Sequence, residues 1–104
     1  MVYLAPLTTV GDNVFIGPGT IVTNDPYPPS GKLAGSKIGN ETIIGGGARI
    51  LAGINIGDRG VIAMGAVVVN DVAEGMVVAG CPAKILCSRK EYDEKKELWI
   101  SGLI

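Results

Sequence analysis

Ile38-Gly-Asn-Glu-Thr-Ile, Ile44-Gly-Gly-Gly-Ala-Arg, Ile50-Leu-Ala-Gly-Ile-Asn, Ile56-Gly-Asp-Arg-Gly-Val, Ile62-Ala-Met-Gly-Ala-Val, then Val68: through this stretch a branched aliphatic residue returns at every sixth position. The same beat runs earlier through Leu4, Val10, Ile16 and Val22 before it is interrupted. Heptads, alternating strands and amphipathic helices do not give a strict six-residue period, whereas a parallel β-helix does. The repeat therefore decides the fold before any other signal is weighed.

Within each hexad the residue after the beat is nearly always Gly or Ala, and the fifth is usually small, as at Thr20, Thr42, Ala48, Gly60 and Ala66. The fourth is often a residue that tolerates a left-handed backbone, as at Asn13, Gly19, Gly47, Gly53, Gly65 and Asp71, and these positions read as corners. Three short strands per coil, about 18 residues, would stack at roughly 4.8 Å per coil with parallel ladder bonds. If the interruption re-enters on the next face, Leu4, Val22, Ile50 and Val68 form one column. Val10, Ile38 and Ile56 form the second, and Ile16, Ile44 and Ile62 the third. The expected fold is all-β: a left-handed parallel β-helix of about three and a half coils with a short C-terminal α-helix. It forms a single domain over 1–104, with coils at 1–22 and 38–73, an excursion at 23–37, a terminal coil segment at 74–87, and a helix and tail at 88–104. Each coil buries little alone, so stacking supplies the stability.

Composition agrees with one ordered domain. Of 104 residues 47% are hydrophobic and only 5% aromatic, with 16 glycines, so the interior must be stacked Ile, Val and Leu. A net charge of -1, from intermixed acidic and basic residues, gives no field for nucleic acid or an anionic membrane. No segment approaches the ~20 apolar residues of a membrane span, and no basic stretch precedes an apolar run at the N-terminus. The chain is read as cytoplasmic. Cys81 and Cys87 are six residues apart, unlike a redox pair or zinc knuckle, and read as reduced thiols, with a disulfide open to a hyperthermophile.

After Val77-Val78 the period stops at Gly80-Cys81-Pro82-Ala83-Lys84, and Ser88-Arg-Lys-Glu91 is a capping box opening a helix to about Trp99. Tyr92, Lys96 and Trp99 share a face expected to pack on a coil or a neighbouring subunit. Glu91 and Lys95 are spaced for an ion pair.

The hexads and the Gly-Cys-Pro-Ala-Lys ending resemble the hexapeptide-repeat acyltransferases over nearly the whole chain. The run Gly11-Asp-Asn-Val-Phe-Ile-Gly-Pro-Gly-Thr-Ile-Val-Thr-Asn-Asp-Pro-Tyr-Pro-Pro29 looks most like the N-acetyltransferases of nucleotide-linked amino sugars used in surface polysaccharides. The resemblance implies a homotrimer that binds acetyl-CoA between subunits and a small-molecule sugar acceptor, with no metal. The chain contains no histidine. Transfer to a hydroxyl needs a base, which this superfamily's O-acetyltransferases resemble one another in drawing from His, whereas a neutral amine is already nucleophilic. The absence also argues against the His-metal carbonic anhydrase branch of the fold.

By position in the resembling motif, Asn24 is expected to orient the acceptor amine, with Asp25 binding or polarising it. Asn24 and Asp25 are equally ordinary openers of a turn. Tyr27, Lys32 and Lys37 belong to an excursion that resembles a shortened active-site lid. For the cofactor the resemblance points to the backbone around Ala63, Gly65 and Ala66, and to Gly80, Pro82, Ala83 and Lys84 near the adenine end. Val69-Asn70 stands where many members have Thr-Lys, which removes a phosphate-facing cation and leaves Arg49, Arg59 or Lys84 to compensate. Rival readings are a sugar O-acetyltransferase and a non-catalytic β-helix scaffold.

Overall fold

A computed structural model of the chain describes all residues from Met1 to Ile104. Ten two-residue strands, β1 (Tyr3–Leu4), β2 (Thr9–Val10), β3 (Phe15–Ile16), β4 (Ile21–Val22), β5 (Lys37–Ile38), β6 (Ile43–Ile44), β7 (Arg49–Ile50), β8 (Asn55–Ile56), β9 (Val61–Ile62) and β10 (Val67–Val68), wind around a prism. They are followed by β11 (Met76–Ala79), β12 (Lys84–Ser88) and helix α1 (Arg89–Ile100). Face 1 stacks β1-β4-β7-β10, face 2 stacks β2-β5-β8, and face 3 stacks β3-β6-β9-β11 with β12 at its edge. All pairings between coils are parallel. The registers Leu4↔Val22↔Ile50↔Val68, Val10↔Ile38↔Ile56 and Ile16↔Ile44↔Ile62 are the three columns read from the beat.

The beat residues fill the interior. Val22, Ile44, Ile50, Ile62 and Val68 are essentially inaccessible, and the small fifth positions Thr20, Thr42, Ala48 and Ala66 fit between them. The two buried threonines bond the carbonyls of Gly17 and Gly39, so neither hydroxyl is left unpaired. In the first coil nothing packs beneath Leu4 and Val10, which stay 37% and 41% exposed.

The corners follow the fourth-position reading in part. Asn13, Gly19, Gly47, Gly53 and Gly65 have positive φ, and so do Leu7, Glu41 and Arg59, whose residue types gave no hint of it. Asp71 does not. It sits where the period shortens, since Val72 pairs with Ile56, so the step from Val68 to the next beat spans four residues rather than six. The beat then resumes at Val78, opposite Ile62. This short step carries the winding through a fourth coil, beyond the expected three and a half.

The C-terminal end is closed by an unforeseen hairpin in which β12 runs antiparallel to β11. α1 begins with the expected capping box: Ser88 Oγ accepts from Glu91 N–H, and the Glu91 carboxylate accepts from Ser88 N–H. Glu91 is thereby engaged, and the expected Glu91–Lys95 pair gives way to Arg89–Asp93 and Asp93–Lys96. Arg89 is buried, its backbone N–H bonds Gly75 O, and its Nη1 donates to the corner carbonyls of Glu41 at 2.7 Å and Arg59 at 3.1 Å. One residue thus ties the helix to three successive corners, two through its side chain and one through its backbone. Against expectation Trp99 is 70% exposed, and only Tyr92 on that face is half-buried.

Candidate active site

The three turns of the coil are not equivalent. After faces 2 and 3 the beat is followed by Gly11, Gly39, Gly57, Gly17 and Gly45, because the next coil lies against the backbone there. A Cβ at residue 45 would sit 2.5 Å from the Met64 amide nitrogen, and one at residue 39 would sit 2.7 Å from that of Asp58. After face 1 the same position holds Ala5, Thr23, Leu51 and Val69. This turn is the one with room for side chains. Thr23, Leu51 and Val69, with Ile21, Arg49 and Val67 from the strands, line an apolar groove of about 170 Å³ across face 1.

At its N-terminal end the groove meets a second pocket of about 240 Å³, lined by Tyr3, Ala5, Thr23, Asn24, Asp25 and Pro28, with Thr23 shared between them. Asn24 is held on both sides. Its Nδ2 donates to Pro6 O at 3.0 Å, and its carbonyl accepts from Ala34 N–H at 2.8 Å, closing the neck of the excursion. Its side-chain oxygen has no partner in the chain, and the residue lines the pocket. The Asp25 carboxylate accepts from Ser30 Oγ, Ser30 N–H and Tyr27 N–H. Those bonds, the Ser30 hydroxyl foremost, hold its carboxyl below the usual range. Asp25 lines the pocket, but its oxygens are committed to folding the loop, as an opener of the turn would be.

The other excursion residues lie elsewhere. Tyr27 is 84% exposed, and Lys32 is an exposed loop residue whose N–H bonds Ser30 Oγ. Lys37 is not in the loop at all. It belongs to β5 and stands on face 2 beside Thr9 and Asn55, so the excursion ends at Ser36. Tyr3 and Thr23 were not singled out in the sequence, although Thr23 breaks the rule of a small residue after the beat, as do Leu51 and Val69.

At the other end of face 1, the Gly80–Ala83 turn lies where a further strand would stack on β10. Val67 N–H donates to Gly80 O at 3.0 Å, and Ala83 N–H to Val67 O at 2.8 Å. Gly80, Pro82 and Ala83 thus gather at the C-terminal mouth of the groove, and Lys84 follows them as the first residue of β12. Ala66 does not join them: its side chain is in the core, its N–H bonds Ala63 O and its carbonyl accepts from Arg49 N–H. Ala63 N–H is likewise spent on Val78 O, and Gly65 N–H on Gly46 O, so none of the three offers a free backbone donor. The free donors are one turn on, at Val69 and Asn70, whose N–H groups have no acceptor in the chain. Two ladder steps, about 10 Å, separate β4 beside Asn24 from β10 beside Gly80.

A parallel β-helix with this hexad, its coils broken once by an excursion and capped by a hairpin and helix, is the fold of the hexapeptide-repeat acyltransferases, in its left-handed form. Over most of its length the chain is similar in sequence and fold to members of that superfamily. Among curated proteins it is 40% identical, over 91 residues, to the 2,3,4,5-tetrahydropyridine-2,6-dicarboxylate N-acetyltransferase of Staphylococcus aureus (strain bovine RF122 / ET3-1), a match covering 86% of this chain and 37% of that protein. The chain therefore spans little more than a third of the length of that relative. Among solved structures, serine acetyltransferase of Neisseria gonorrhoeae superposes with a TM-score of 0.75 at 31% identity, over 85% of this chain and 33% of that one. A hexapeptide-repeat acetyltransferase of Vibrio cholerae, complexed with acetyl coenzyme A, gives 0.72 at 32% identity, over 84% and 53%. No family model matches the chain.

Proposed function

We propose that the chain is the acetyl-CoA-binding β-helix of an N-acetyltransferase that acetylates the amine of a small molecule. The observation that carries this reading is the groove on face 1, with Asn24 at one end and the Gly80–Lys84 turn at the other. A slender, mostly uncharged arm fits such a groove: apolar walls from Ile21, Leu51 and Val67, two unpaired N–H donors at Val69 and Asn70, and the Lys84 ammonium at the mouth for phosphate.

Acetyl-CoA supplies the thioester carbonyl and the thiolate leaving group. Because Asn24 Nδ2 is held by Pro6, its free oxygen accepts a hydrogen bond from the acceptor N–H and turns the nitrogen lone pair away toward the groove. Backbone N–H groups at the groove wall face the developing oxyanion. Asp25 keeps the loop folded around the pocket. With no histidine in the chain, an amine acceptor needs least from the protein, and transfer to a hydroxyl would lack its usual base.

For the acceptor, the adjacency of the Tyr3–Pro28 pocket and the groove, which share Thr23, favours an extended molecule, a nucleotide-linked amino sugar. A second reading, a cyclic amine dicarboxylate, is favoured by the identity to the staphylococcal enzyme. The working unit is a homotrimer. The outward rows of faces 1 and 3 carry Ile21, Val67, Phe15 and Ile43, while face 2 shows water Thr9, Lys37, Asn55 and Asp71, a division that suits burial of two faces between subunits.

The test is release of CoA thiol from acetyl-CoA with either acceptor. Asn24→Ala is expected to lower turnover at least tenfold while the sedimenting species is unchanged. Equal turnover in the variant, or none with any amine in the wild type, would overturn the proposal.

A further inference from the structure

Arg49 is the one charged residue lining the face 1 groove, and it takes part in no ion pair. Its guanidinium is anchored on one side only. Nη1 donates to the corner carbonyls of Gly19 at 2.8 Å and Gly47 at 2.9 Å, spanning two coils as Arg89 spans two at another corner. Nε and Nη2 have no acceptor anywhere in the chain, and together they form the edge of the fork that grips carboxylate or phosphate with two parallel bonds. A cation fixed in place by backbone carbonyls, with that edge open beside apolar walls, is preorganised for an oxyanion.

Its place on face 1 says which part of a ligand it meets. The guanidinium lies at the Gly19–Gly47 corner, where the chain enters face 1, whereas Asn24 lies where the chain leaves it. At roughly 3.3 Å per residue the two are more than about 10 Å apart across the strands. An anion attached directly to the carbon beside the acceptor nitrogen is too close to reach both. The Gly80–Lys84 turn stacks on Val67, the neighbour of Arg49 in the same column, so phosphates of a donor seated there lie two ladder steps, about 10 Å, along the prism axis from Arg49, and the effect of Arg49 variants on CoA affinity separates the two anions.

We infer that Arg49 is the specificity-determining residue that binds the phosphate of an extended acceptor lying across face 1, its amine at Asn24 and its anion about 10 Å away. This rests on the reading of face 1 as the acyl-transfer site, and it favours a nucleotide-linked acceptor over a compact dicarboxylate.

UDP, which carries the diphosphate without sugar or amine, is the probe. Titrated into the ¹⁵N-labelled full chain, it is expected to shift the Arg49 Nε–H resonance. Arg49→Gln should weaken UDP binding at least tenfold, Arg49→Lys should fall between because an ammonium cannot form the fork, and CoA affinity should stay within twofold in both. Pyridine-2,6-dicarboxylate should bind without moving the Arg49 signal. Unchanged UDP affinity in folded Arg49→Gln, or no UDP binding by the wild type at millimolar concentration, overturns the inference. So does a change of oligomeric state in the Arg49 variants, which would make the side chain an interface residue. Loss of CoA binding by the wild type is a separate result and counts against the acyltransfer reading itself.

Discussion

Replacing Gly45 by alanine tests the stacking that the whole fold depends on. The added Cβ would stand 2.5 Å from the Met64 nitrogen and 2.7 Å from its Cα, both backbone atoms of the next coil. Ordinary contact begins near 3.4 Å, so the two coils must separate locally by 3.4 − 2.5 = 0.9 Å. The ladder bond between them, Gly45 N–H to Ile62 O, is 2.7 Å long and would stretch with them. Overpacking of this kind costs about 1–3 kcal/mol. With backbone on both sides of the clash the upper part of that range applies, about 2–3 kcal/mol, or roughly 10–20 °C in melting temperature for a chain of this size. Gly47→Ala is the control. Nothing lies within 4 Å of its Cβ, and its positive φ of 72° adds only the left-handed strain that Asn13, Glu41 and Arg59 already bear, about 1 kcal/mol. Melting followed by circular dichroism ranks the two. If Gly45→Ala melts no lower than Gly47→Ala, the coils are not held by close backbone stacking at that turn.

Three further outcomes follow from particular side chains. Arg89→Ala removes a buried cation, its bonds to the carbonyls of Glu41 and Arg59 and its pair with Asp93, and should cost about 2–4 kcal/mol in chemical denaturation; a loss below about 0.5 kcal/mol would mean that the helix is not anchored through it. Cys87 lies opposite Val77, three residues along β12 from Lys84, and Cys81 lies in the turn beyond Ala79, so their Cα atoms are on the order of 10 Å apart, beyond disulfide reach. Thiol titration of the unfolded chain after mild oxidation should therefore still find both thiols, and an intramolecular disulfide would refute the hairpin register. Asp25, with its folded pKa lowered, stabilises the excursion fully above the ordinary value of 3.8, and that contribution is lost as pH falls through the lower folded value. The protection of the Ser30 and Tyr27 amides, taken relative to their intrinsic exchange rates at each pH, should fall only in that acidic window in the wild type, and be lost at neutral pH already in Asp25→Ala.

How far the sequence could be read depended on whether a feature was periodic. The three columns and the buried beats were legible because one residue in six must be large and inward, and the registers of Leu4, Val10 and Ile16 follow by counting. The short step at 69–71 and the β11–β12 hairpin break the period, and no residue type announces them. Positive φ at Leu7, Glu41 and Arg59 shows stacking overriding local preference. Asn24 could be picked out by position in a motif and does line a pocket. Lys37 falls in the loop when each coil is counted from its beat, but every two-residue strand here begins one residue before the beat, and Lys37 is that residue for Ile38. Ala66 is small as a fifth position of the hexad should be, and the core accounts for that size. The most informative missed signal was already in the hexads: Thr23, Leu51 and Val69 are large where every other turn has Gly or Ala, and those residues line the groove.

The most direct measurement is a titration of CoA into the ¹⁵N-labelled chain, followed residue by residue. A donor lying on face 1 shifts the amides of Thr23, Leu51, Val69, Asn70 and Ala83 in one saturable step and leaves Thr9, Lys37 and Asn55 on face 2 unmoved. Shifts confined to face 2, or none at millimolar CoA, would contradict the assignment of face 1 as the acyl-transfer site.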